Sequence, residues 1–209
     1  MTDGIRLVVL GRQGAGKGTQ AERLCATRGW AHVSTGDLLR AAVAAGTDLG
    51  KEAQGFMDRG ELVPDSLVLA LVRERMGAPG APAGFLLDGF PRNASQAEAL
   101  DKVLAELDAT DGGGDPGVRN PGVQCVVHMR LDDEEIVRRL LARGRKDDKE
   151  NVIRNRLKVY REETAPLIAH YEAQGLLRTV RADGTLDDVE ARIREALDSC
   201  AAGTPGRDA

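Results

Sequence analysis

The segment Gly11-Arg12-Gln13-Gly14-Ala15-Gly16-Lys17-Gly18-Thr19 decides the fold of this chain. It follows an apolar run at residues 5–10 that is too short for a core helix and rich in β-branched residues, which predicts a buried strand. It leads into a helical pattern at residues 20–24. The glycines let successive backbone N–H groups point at an anion, and the positive end of the following helix adds to that attraction. The segment therefore predicts a phosphate-binding loop, with Lys17 as a mobile positive charge.

The loop departs in one place from the strict pattern G-x-x-x-x-G-K-[ST]. Gly18 follows Lys17, so the hydroxyl that would serve a magnesium ion is displaced by one position, to Thr19. A glycine-rich turn alone is also compatible with a plain tight loop between a strand and a helix. The predicted strand before the segment and the helix after it favour the phosphate site.

The composition is that of a globular chain of 209 residues, with 42% apolar and 30% charged residues. Its apolar runs fall far short of the roughly 18–20 residues that a membrane span needs, so we expect a soluble protein without a membrane partner. The net charge of −4 and only six aromatic residues argue against nucleic acid as a partner. Three cysteines without a C-x-x-C pair, and a first strand that starts near Ile5, indicate a reducing, cytoplasmic location without export.

Five short apolar runs alternate with helical patterns along the chain. We predict strands at residues 5–10, 31–33, 84–88, 123–129 and 176–180. This alternation predicts an α/β fold with a five-stranded parallel sheet flanked by helices. Sites in such sheets lie at the carboxyl ends of the strands, where the phosphate loop and residues 34–37, 88–92 and 183–184 fall.

Helix signals divide the rest of the chain. Asp37 or Thr35 is the expected cap of a helix at residues 38–45, and a long helix at residues 151–174 is expected to kink near Pro166. We expect one domain over residues 1–209, with a core at residues 1–33, 64–142 and 149–202. A helical excursion at residues 34–63, a short lid at 143–148, a flexible glycine-rich loop at 108–122 and a tail at 203–209 complete this division.

Several separate motifs, in order, resemble the adenylate kinases, a family of nucleoside monophosphate kinases. The motifs are residues 11–20, Ser34-Thr35-Gly36-Asp37-Leu38-Leu39-Arg40, Gly60-Glu61-Leu62-Val63-Pro64-Asp65, residues 84–92 with Gln96, and Arg143-Gly144-Arg145 with Asp147-Asp148. The resemblance covers about residues 5–197 and implies a sheet of P-loop kinase type, with the excursion binding the nucleoside monophosphate. It also implies conversion of ATP and AMP into two ADP, with Mg²⁺ on the ATP.

The resemblance implies a role for each matching residue. ATP-binding residues would be Gly14, Ala15, Gly16, Lys17, Gly18, Thr19, Arg139, Arg143 and Gly184. AMP-binding residues would be Thr35, Arg40, Glu61, Leu62, Val63, Gly89, Phe90, Pro91, Arg92, Gln96, Arg145 and Arg156. Catalytic residues would be Lys17, Arg92, Arg143, Arg145 and Arg156, and Asp37 and Asp88 would hold the metal through water.

The charge of these residues also has a physical reason. Phosphoryl transfer depends on positioning and on charge neutralisation, and one arginine on the transition state is worth about 10³–10⁵ in rate. Converging arginines are therefore expected, because a guanidinium matches phosphate oxygens with two hydrogen bonds. The basic stretch at residues 138–146 is otherwise typical of a solvated helix end.

Three features depart from the family pattern. Gln13 stands where the family usually has proline, and the loop at residues 108–122 is longer than usual. The lid at residues 143–148 is too short for a metal-stapled segment, so no structural zinc is expected.

Two other functions stay open. A UMP/CMP kinase has the same fold, but such enzymes commonly carry alanine at the position of Thr35 and asparagine near that of Gln96, whose amide suits the N1 and N6 edge of adenine. A nucleotide-binding regulator without turnover would not need the full set of cations. We expect a monomer.

Overall fold

The computed structural model describes residues 5–76, 84–110, 122–145 and 148–201. In these residues five strands form one parallel sheet in the order β2-β3-β1-β4-β5. The strands are β1 (Arg6–Leu10), β2 (Ala31–Ser34), β3 (Phe85–Asp88), β4 (Cys125–Arg130) and β5 (Leu177–Arg181). The predicted α/β fold with a five-stranded parallel sheet is confirmed, and each strand lies within two residues of its expected bounds.

Helices cover both faces of this sheet. They are α1 (Lys17–Arg28), α2 (Thr35–Ala44), α3 (Asp48–Arg59), α4 (Asp65–Met76), α5 (Ala94–Thr110), α6 (Asp133–Arg143), α7 (Glu150–Val159), α8 (Pro166–Ala173) and α9 (Leu186–Ala201). Helices α2 and α3 make up most of the predicted excursion at residues 34–63. The expectation that Asp37 or Thr35 caps α2 is wrong, because the Ser34 hydroxyl accepts the hydrogen bond of the Asp37 N–H.

The long helix expected at residues 151–174 is interrupted before its proline. A π-helical turn, Tyr160–Thr164, separates α7 from α8, and Pro166 is the first residue of α8. Proline is well tolerated there because the N–H that it lacks would have no partner within the helix. Tyr160 and Thr164, the first and last residues of the π-helical turn, line the cavity described below, and such turns are frequent at functional sites.

Apolar residues pack on both faces of the sheet. Within β1, Leu7 and Val9 belong to the cluster that includes α1, α6 and α9, whereas Val8 and Leu10 belong to the cluster that includes α4, α5 and α8. All four side chains are almost fully buried. This continuous apolar run, without polar alternation, is what a central parallel strand covered on both faces requires.

Cys125 of β4 and Cys200 of α9 form a disulfide, with their Cα atoms 6.1 Å apart. The two residues are 75 positions apart in the chain, so neither spacing nor motif indicated this pairing. Cys25 stays a free, buried thiol, and burial raises its pKa to about 11. The disulfide ties the last helix to the sheet, a link that the expectation of three separate cysteines in a reducing compartment did not include.

Some sequence predictions lie outside the described residues. Helix α5 extends to Thr110, so the described residues assign the first part of the predicted loop at 108–122 to a helix. Residues 111–121 of that loop, residues 146–147 of the lid and the tail at 203–209 are not described. The described part of the chain contains no helix with both the length and the apolar character needed to cross a bilayer.

The register of the sheet brings the expected site segments together. Asp88 at the end of β3 is paired with Ser34 at the end of β2 and with Val9 near the end of β1. The residues that follow these three strands are Gly89, Thr35 and the phosphate loop. Parallel pairing therefore places three chain segments that are far apart in sequence at one edge of the sheet.

Candidate active site

A cavity of about 650 Å³ lies at this edge of the sheet. It brings together twenty of the residues predicted from the sequence: Gly14, Gly16, Lys17, Gly18, Thr19, Thr35, Asp37, Arg40, Glu61, Leu62, Val63, Asp88, Gly89, Pro91, Arg92, Gln96, Arg139, Arg143, Arg145 and Arg156. Ala15, Phe90 and Gly184 do not line it. Ala15 and Phe90 are buried in the protein, and Gly184 lies two residues before Leu186, which does line it.

The cavity has a strongly positive lining. Seven Lys and Arg side chains and four Asp and Glu side chains line it, an excess of three positive charges in a chain whose net charge is −4. Clefts lined by one sign of charge focus the electrostatic field and attract ligands of the opposite sign. The site therefore favours polyanions, and its size suits more than a single phosphate.

The phosphate loop has the backbone shape that anion binding requires. Gly14 and Gly16 have φ angles of 90° and 91°, in the left-handed region that side chains with a Cβ rarely adopt. Gly16 also caps α1, and no side chain accepts a hydrogen bond at this cap. The first turn of α1 carries no acidic residue. Its positive N-terminal end is thus directed at the cavity and is available to a phosphate.

Lys17 is held against the loop that precedes it. Its Nζ donates hydrogen bonds to the carbonyl oxygens of Gly11 (2.8 Å) and Arg12 (3.0 Å). Burial lowers the pKa of Lys17, the nearby Asp88 acts to raise it, and Arg92 and Arg143 lower it further. An incoming phosphate would replace the two carbonyl oxygens as acceptors. Its negative charge would raise the pKa of Lys17, against the effect of the two arginines, and so stabilise the charged ammonium group.

The end of β3 places a second group of cations. The Thr35 hydroxyl and Arg92 Nε both donate to the Gly89 carbonyl oxygen, at 2.9 and 2.7 Å. Thr164 of the π-helical turn donates to the Arg92 carbonyl oxygen at 2.8 Å and so fixes the same segment from the opposite side. The pKa of Arg92 lies below its usual value, mainly because loss of hydration disfavours the charged form. Asp88 acts to raise this pKa, and the guanidiniums of Arg156 and Arg40 act to lower it. A phosphate bound between these guanidiniums would reduce their mutual repulsion.

Asp148 organises the arginines of the lid, and sequence reasoning gave it no role of its own. Its carboxylate is fully buried and accepts two hydrogen bonds from Arg143, at 2.7 and 2.8 Å, and one from the Arg145 N–H at 3.2 Å. Arg156 Nη1 lies 3.9 Å from the same carboxylate. The sequence offered two signals, the acidic pair Asp147-Asp148 after the basic stretch and its place in a motif of the resembled family, and neither indicates the contact with Arg156.

The amide of Gln96 is bound at both ends. Its oxygen accepts from the Arg92 N–H (2.8 Å) and its NH₂ group donates to Asp65 (2.7 Å). Asp65 ends the motif at residues 60–65, and the sequence indicated no role for it. Val63 and Val68, on either side of Asp65 in the chain, line the same cavity. The arrangement suits a flat, partly apolar group with a hydrogen-bonding edge.

The two carboxylates proposed for the metal have different environments. Asp88 is only 13% exposed and lies beside the loop, since a Cβ built on Gly18 would be 3.4 Å from its Oδ2. Asp37 is more exposed and pairs with Arg40. Mg²⁺ in phosphate sites keeps several waters and uses one or two carboxylates together with phosphate oxygens. The surroundings of Asp88 fit such a hydrated ion, whereas Asp37 would first have to release Arg40.

The described residues contain no cluster of three or more His, Cys, Asp or Glu side chains that would form a protein-only metal centre.

Comparison with known proteins identifies the family. A model of the adenylate kinase family matches residues 9–176. The chain is 57% identical over 192 residues to an adenylate kinase of Synechococcus sp. and 52% identical over 192 residues to one of Prochlorococcus marinus; each match covers 92% of this chain and 98% of the relative. It is 49% identical over 199 residues to an adenylate kinase of Thermobifida fusca, covering 93% of this chain and 99% of the relative. The chain therefore belongs to the adenylate kinase family and is an enzyme of that family, a nucleotide-binding kinase of P-loop fold.

Proposed function

We propose that this enzyme reversibly transfers the γ-phosphoryl group of ATP to AMP, giving two ADP, with Mg²⁺ bound to the ATP. One observation carries the proposal. A single cavity holds a phosphate loop with Lys17, a buried amide at Gln96, and a set of arginines that also line it. Two nucleotides with their phosphates facing each other across these arginines would satisfy all three parts of the site.

On the ATP side, the glycine loop and the N-terminal end of α1 would hold the β- and γ-phosphates. Lys17 would exchange the carbonyl oxygens of Gly11 and Arg12 for phosphate oxygens. Arg139 is positioned by Glu135 at 2.6 Å and lines the cavity. The Gln20 amide donates to the Leu186 carbonyl oxygen at 2.9 Å, which ties the start of α9 to α1. The backbone around Gly184 would contact adenine beside this link.

On the AMP side, Arg40 and Arg92 would bind the phosphate and Gln96 would bind the base. Arg92 is hydrogen-bonded to the Gly89 carbonyl oxygen at the end of β3, and Arg40, paired with Asp37 within α2, lines the same cavity. Glu61, Leu62 and Val63 would close the base slot from the side of the excursion. Thr35, held by Gly89, fixes the excursion to the sheet.

The transfer itself needs no covalent work from the protein. An oxygen of the AMP phosphate attacks the γ-phosphorus, and the bond from that phosphorus to the β–γ bridging oxygen of ATP breaks, which leaves two ADP. Lys17, Arg92, Arg143, Arg145 and Arg156 would neutralise the charge on the transferred group. Bound Mg²⁺, with its waters held by Asp88 and Asp37, would supply charge neutralisation on the ATP phosphates.

We also propose that the enzyme closes over its substrates. The excursion at residues 34–63 and the lid at 143–148 would close over both nucleotides and exclude water, which would otherwise hydrolyse ATP. The enzyme would act as a cytoplasmic monomer in adenine nucleotide homeostasis. Size-exclusion chromatography with light scattering tests the oligomeric state, and a monomer should elute as one species with the mass of a single chain.

The decisive experiment is a panel of nucleoside monophosphates assayed with MgATP. AMP should be the best acceptor, ADP should form at twice the rate of ATP loss, and omission of Mg²⁺ should remove turnover. A preference for CMP or UMP would favour the pyrimidine kinase, and nucleotide binding without ADP formation would favour a regulator. A mimic of two adenosines joined by five phosphates should bind far more tightly than AMP, and equal affinities would contradict the two-site arrangement.

A further inference from the structure

The Gln96 amide is held in a fixed orientation by two hydrogen bonds. Its Nε2 donates to Asp65 Oδ1 at 2.7 Å, and its Oε1 accepts from the Arg92 N–H at 2.8 Å. The side chain is only 1% exposed. Its backbone N–H donates to Asn93 Oδ1 at 2.9 Å, which anchors the same residue at the start of α5.

The two partners allow only one orientation of this amide. A carboxylate can only accept hydrogen bonds, and a backbone N–H can only donate them. Rotation of the amide by 180° would place its oxygen against the Asp65 carboxylate and its NH₂ group against the Arg92 N–H. Both hydrogen bonds would be lost and two like partners would meet in a buried position, where unsatisfied polar groups are costly.

Asp65 is itself held in place. Asn93 Nδ2 donates to its Oδ1 at 3.3 Å, and the Ser95 hydroxyl donates to its Oδ2. Burial acts to raise the pKa of Asp65, but the hydrogen bonds from Ser95, Gln96 and Asn93 outweigh that effect and leave the pKa below its usual value. The carboxylate is therefore an acceptor at neutral pH. It is not among the residues that line the cavity, so its influence on a ligand passes through Gln96.

We propose that Asp65 is a positioning residue that sets the base selectivity of the acceptor site, by fixing which end of the Gln96 amide donates and which end accepts. This inference rests on the proposed function. Within the part of the chain that the structure describes, the bonds to Asp65 and Arg92 use one N–H and one lone pair of the amide. One N–H and one lone pair are left for a ligand. An N–H beside a lone pair matches the N1 acceptor and N6 donor of adenine. Hypoxanthine and guanine present the opposite pattern, an N1 donor and an O6 acceptor.

The test is Asp65→Asn, which keeps the shape of the side chain but lets it accept or donate. An asparagine that turns its own NH₂ group towards Gln96 accepts the rotated amide on that side, so that only the Arg92 N–H still opposes the rotation. The ratio of kcat/KM for AMP to that for IMP should therefore fall by about tenfold, because one of the two contacts that oppose the rotated amide is lost and the other remains. A site of fully fixed orientation rejects the mismatched analogue by roughly 10⁴. KM for AMP should rise, whereas kcat at saturating AMP and KM for ATP should stay within about threefold.

Two control variants separate positioning from general damage. Asp48 is the first residue of α3, as Asp65 is of α4, and it is fully exposed, so Asp48→Asn repeats the loss of charge at a helix start without touching the amide. Ser95→Ala removes the hydrogen bond to the other Asp65 oxygen and leaves the bond to Gln96. Both should keep the AMP:IMP ratio within about twofold of the wild type, and thermal unfolding should confirm that all variants are folded.

A double-mutant cycle decides whether Asp65 acts through Gln96. In the Gln96→Ala background the amide is absent, so Asp65→Asn should change the AMP:IMP ratio no further. An undiminished effect in that background would overturn the inference, as would Asp65→Asn with unchanged selectivity or with a loss of kcat alone. The proposed function fails separately, since it requires the wild type to prefer AMP over the pyrimidine monophosphates.

Discussion

Replacement of Asp148 by asparagine should both destabilise the enzyme and slow it. The Asp148 side chain is fully buried, accepts three hydrogen bonds from Arg143 and the Arg145 N–H, and lies 3.9 Å from Arg156. The asparagine side chain would have nearly the same shape, but it would carry no charge and would turn an NH₂ group towards a guanidinium that can only donate.

The size of the effect follows from burial. Removing one partner of a buried ion pair costs about 3–5 kcal/mol, and because Arg143 is 30% exposed and can recover some hydration, the lower figure of about 3 kcal/mol applies. For a protein of this size each kcal/mol shifts Tm by roughly 2–4 °C, so Tm should fall by about 6–12 °C. Three arginines lose their common anchor, and misplacement of about 1 Å costs on the order of 10² in rate, so kcat should fall by roughly that factor.

Calorimetry and a coupled ADP assay measure the two effects on the same samples. Glu106→Gln is the control, because the Arg73–Glu106 pair has a similar N–O distance of 2.6 Å but both side chains are more than half exposed. That variant should keep its Tm within about 1 °C and its kcat unchanged. If Asp148→Asn matched the control in both measurements, the idea that a buried carboxylate organises the lid arginines would be refuted.

Three further predictions concern single groups. Lys17→Ala should lower kcat by roughly 100-fold with little change in Tm, and a variant that kept more than about a tenth of the wild-type kcat would contradict the role of Lys17 at the transferred group. Burial lowers the pKa of Lys17 and only the protonated side chain binds phosphate, so kcat/KM should fall as the pH rises through a value below 10.5. Bound phosphates raise the pKa of Lys17, so kcat should fall at a higher pH than kcat/KM. If kcat and kcat/KM fell at the same pH, this assignment would be contradicted. Cys200→Ser should lower the Tm of the oxidised protein, because a disulfide that closes a 75-residue loop stabilises the fold by about 4 kcal/mol in the chain-entropy model. Dithiothreitol should lower the Tm of the wild type by the same amount and leave the Tm of the variant unchanged. Equal Tm values for the oxidised and the reduced wild type would show that the disulfide does not stabilise the fold.

Much of the site could be predicted from local patterns. Gly14, Gly16 and Lys17 lie within four consecutive positions of the chain. Because a strand precedes them and a helix follows them, few shapes of the loop are possible. Asp88 was recognisable because a carboxylate that ends a buried apolar strand stands at the edge where α/β proteins bind ligands. Parallel pairing then made the meeting of residues after β1, β2 and β3 an expectation, which the register of the sheet confirms.

The missed residues act through contacts between different segments of the chain. Asp148, between α6 and α7, meets Arg143 at the end of α6 and Arg156 within α7, and Asp65 meets Gln96 across 31 positions of the chain. The same holds for Cys125 and Cys200, which are 75 positions apart. An acidic residue after a basic stretch or at the start of a helix is common on protein surfaces, so its type and position gave no sign that these two carboxylates are buried partners.

The sequence by itself determined the order of strands and helices along the chain, the phosphate loop and the positions of the basic residues, because each depends on residues that are neighbours in the chain or on the apolar period of one element. Only the tertiary structure decided how those cations are held. Whether Arg143 faces a phosphate or a carboxylate, and which end of the Gln96 amide donates, depends on groups from other helices that approach within hydrogen-bond distance. Hydrogen bonds are short and directional, so a shift of about 1 Å in helix packing makes or breaks them while leaving the apolar pattern unchanged.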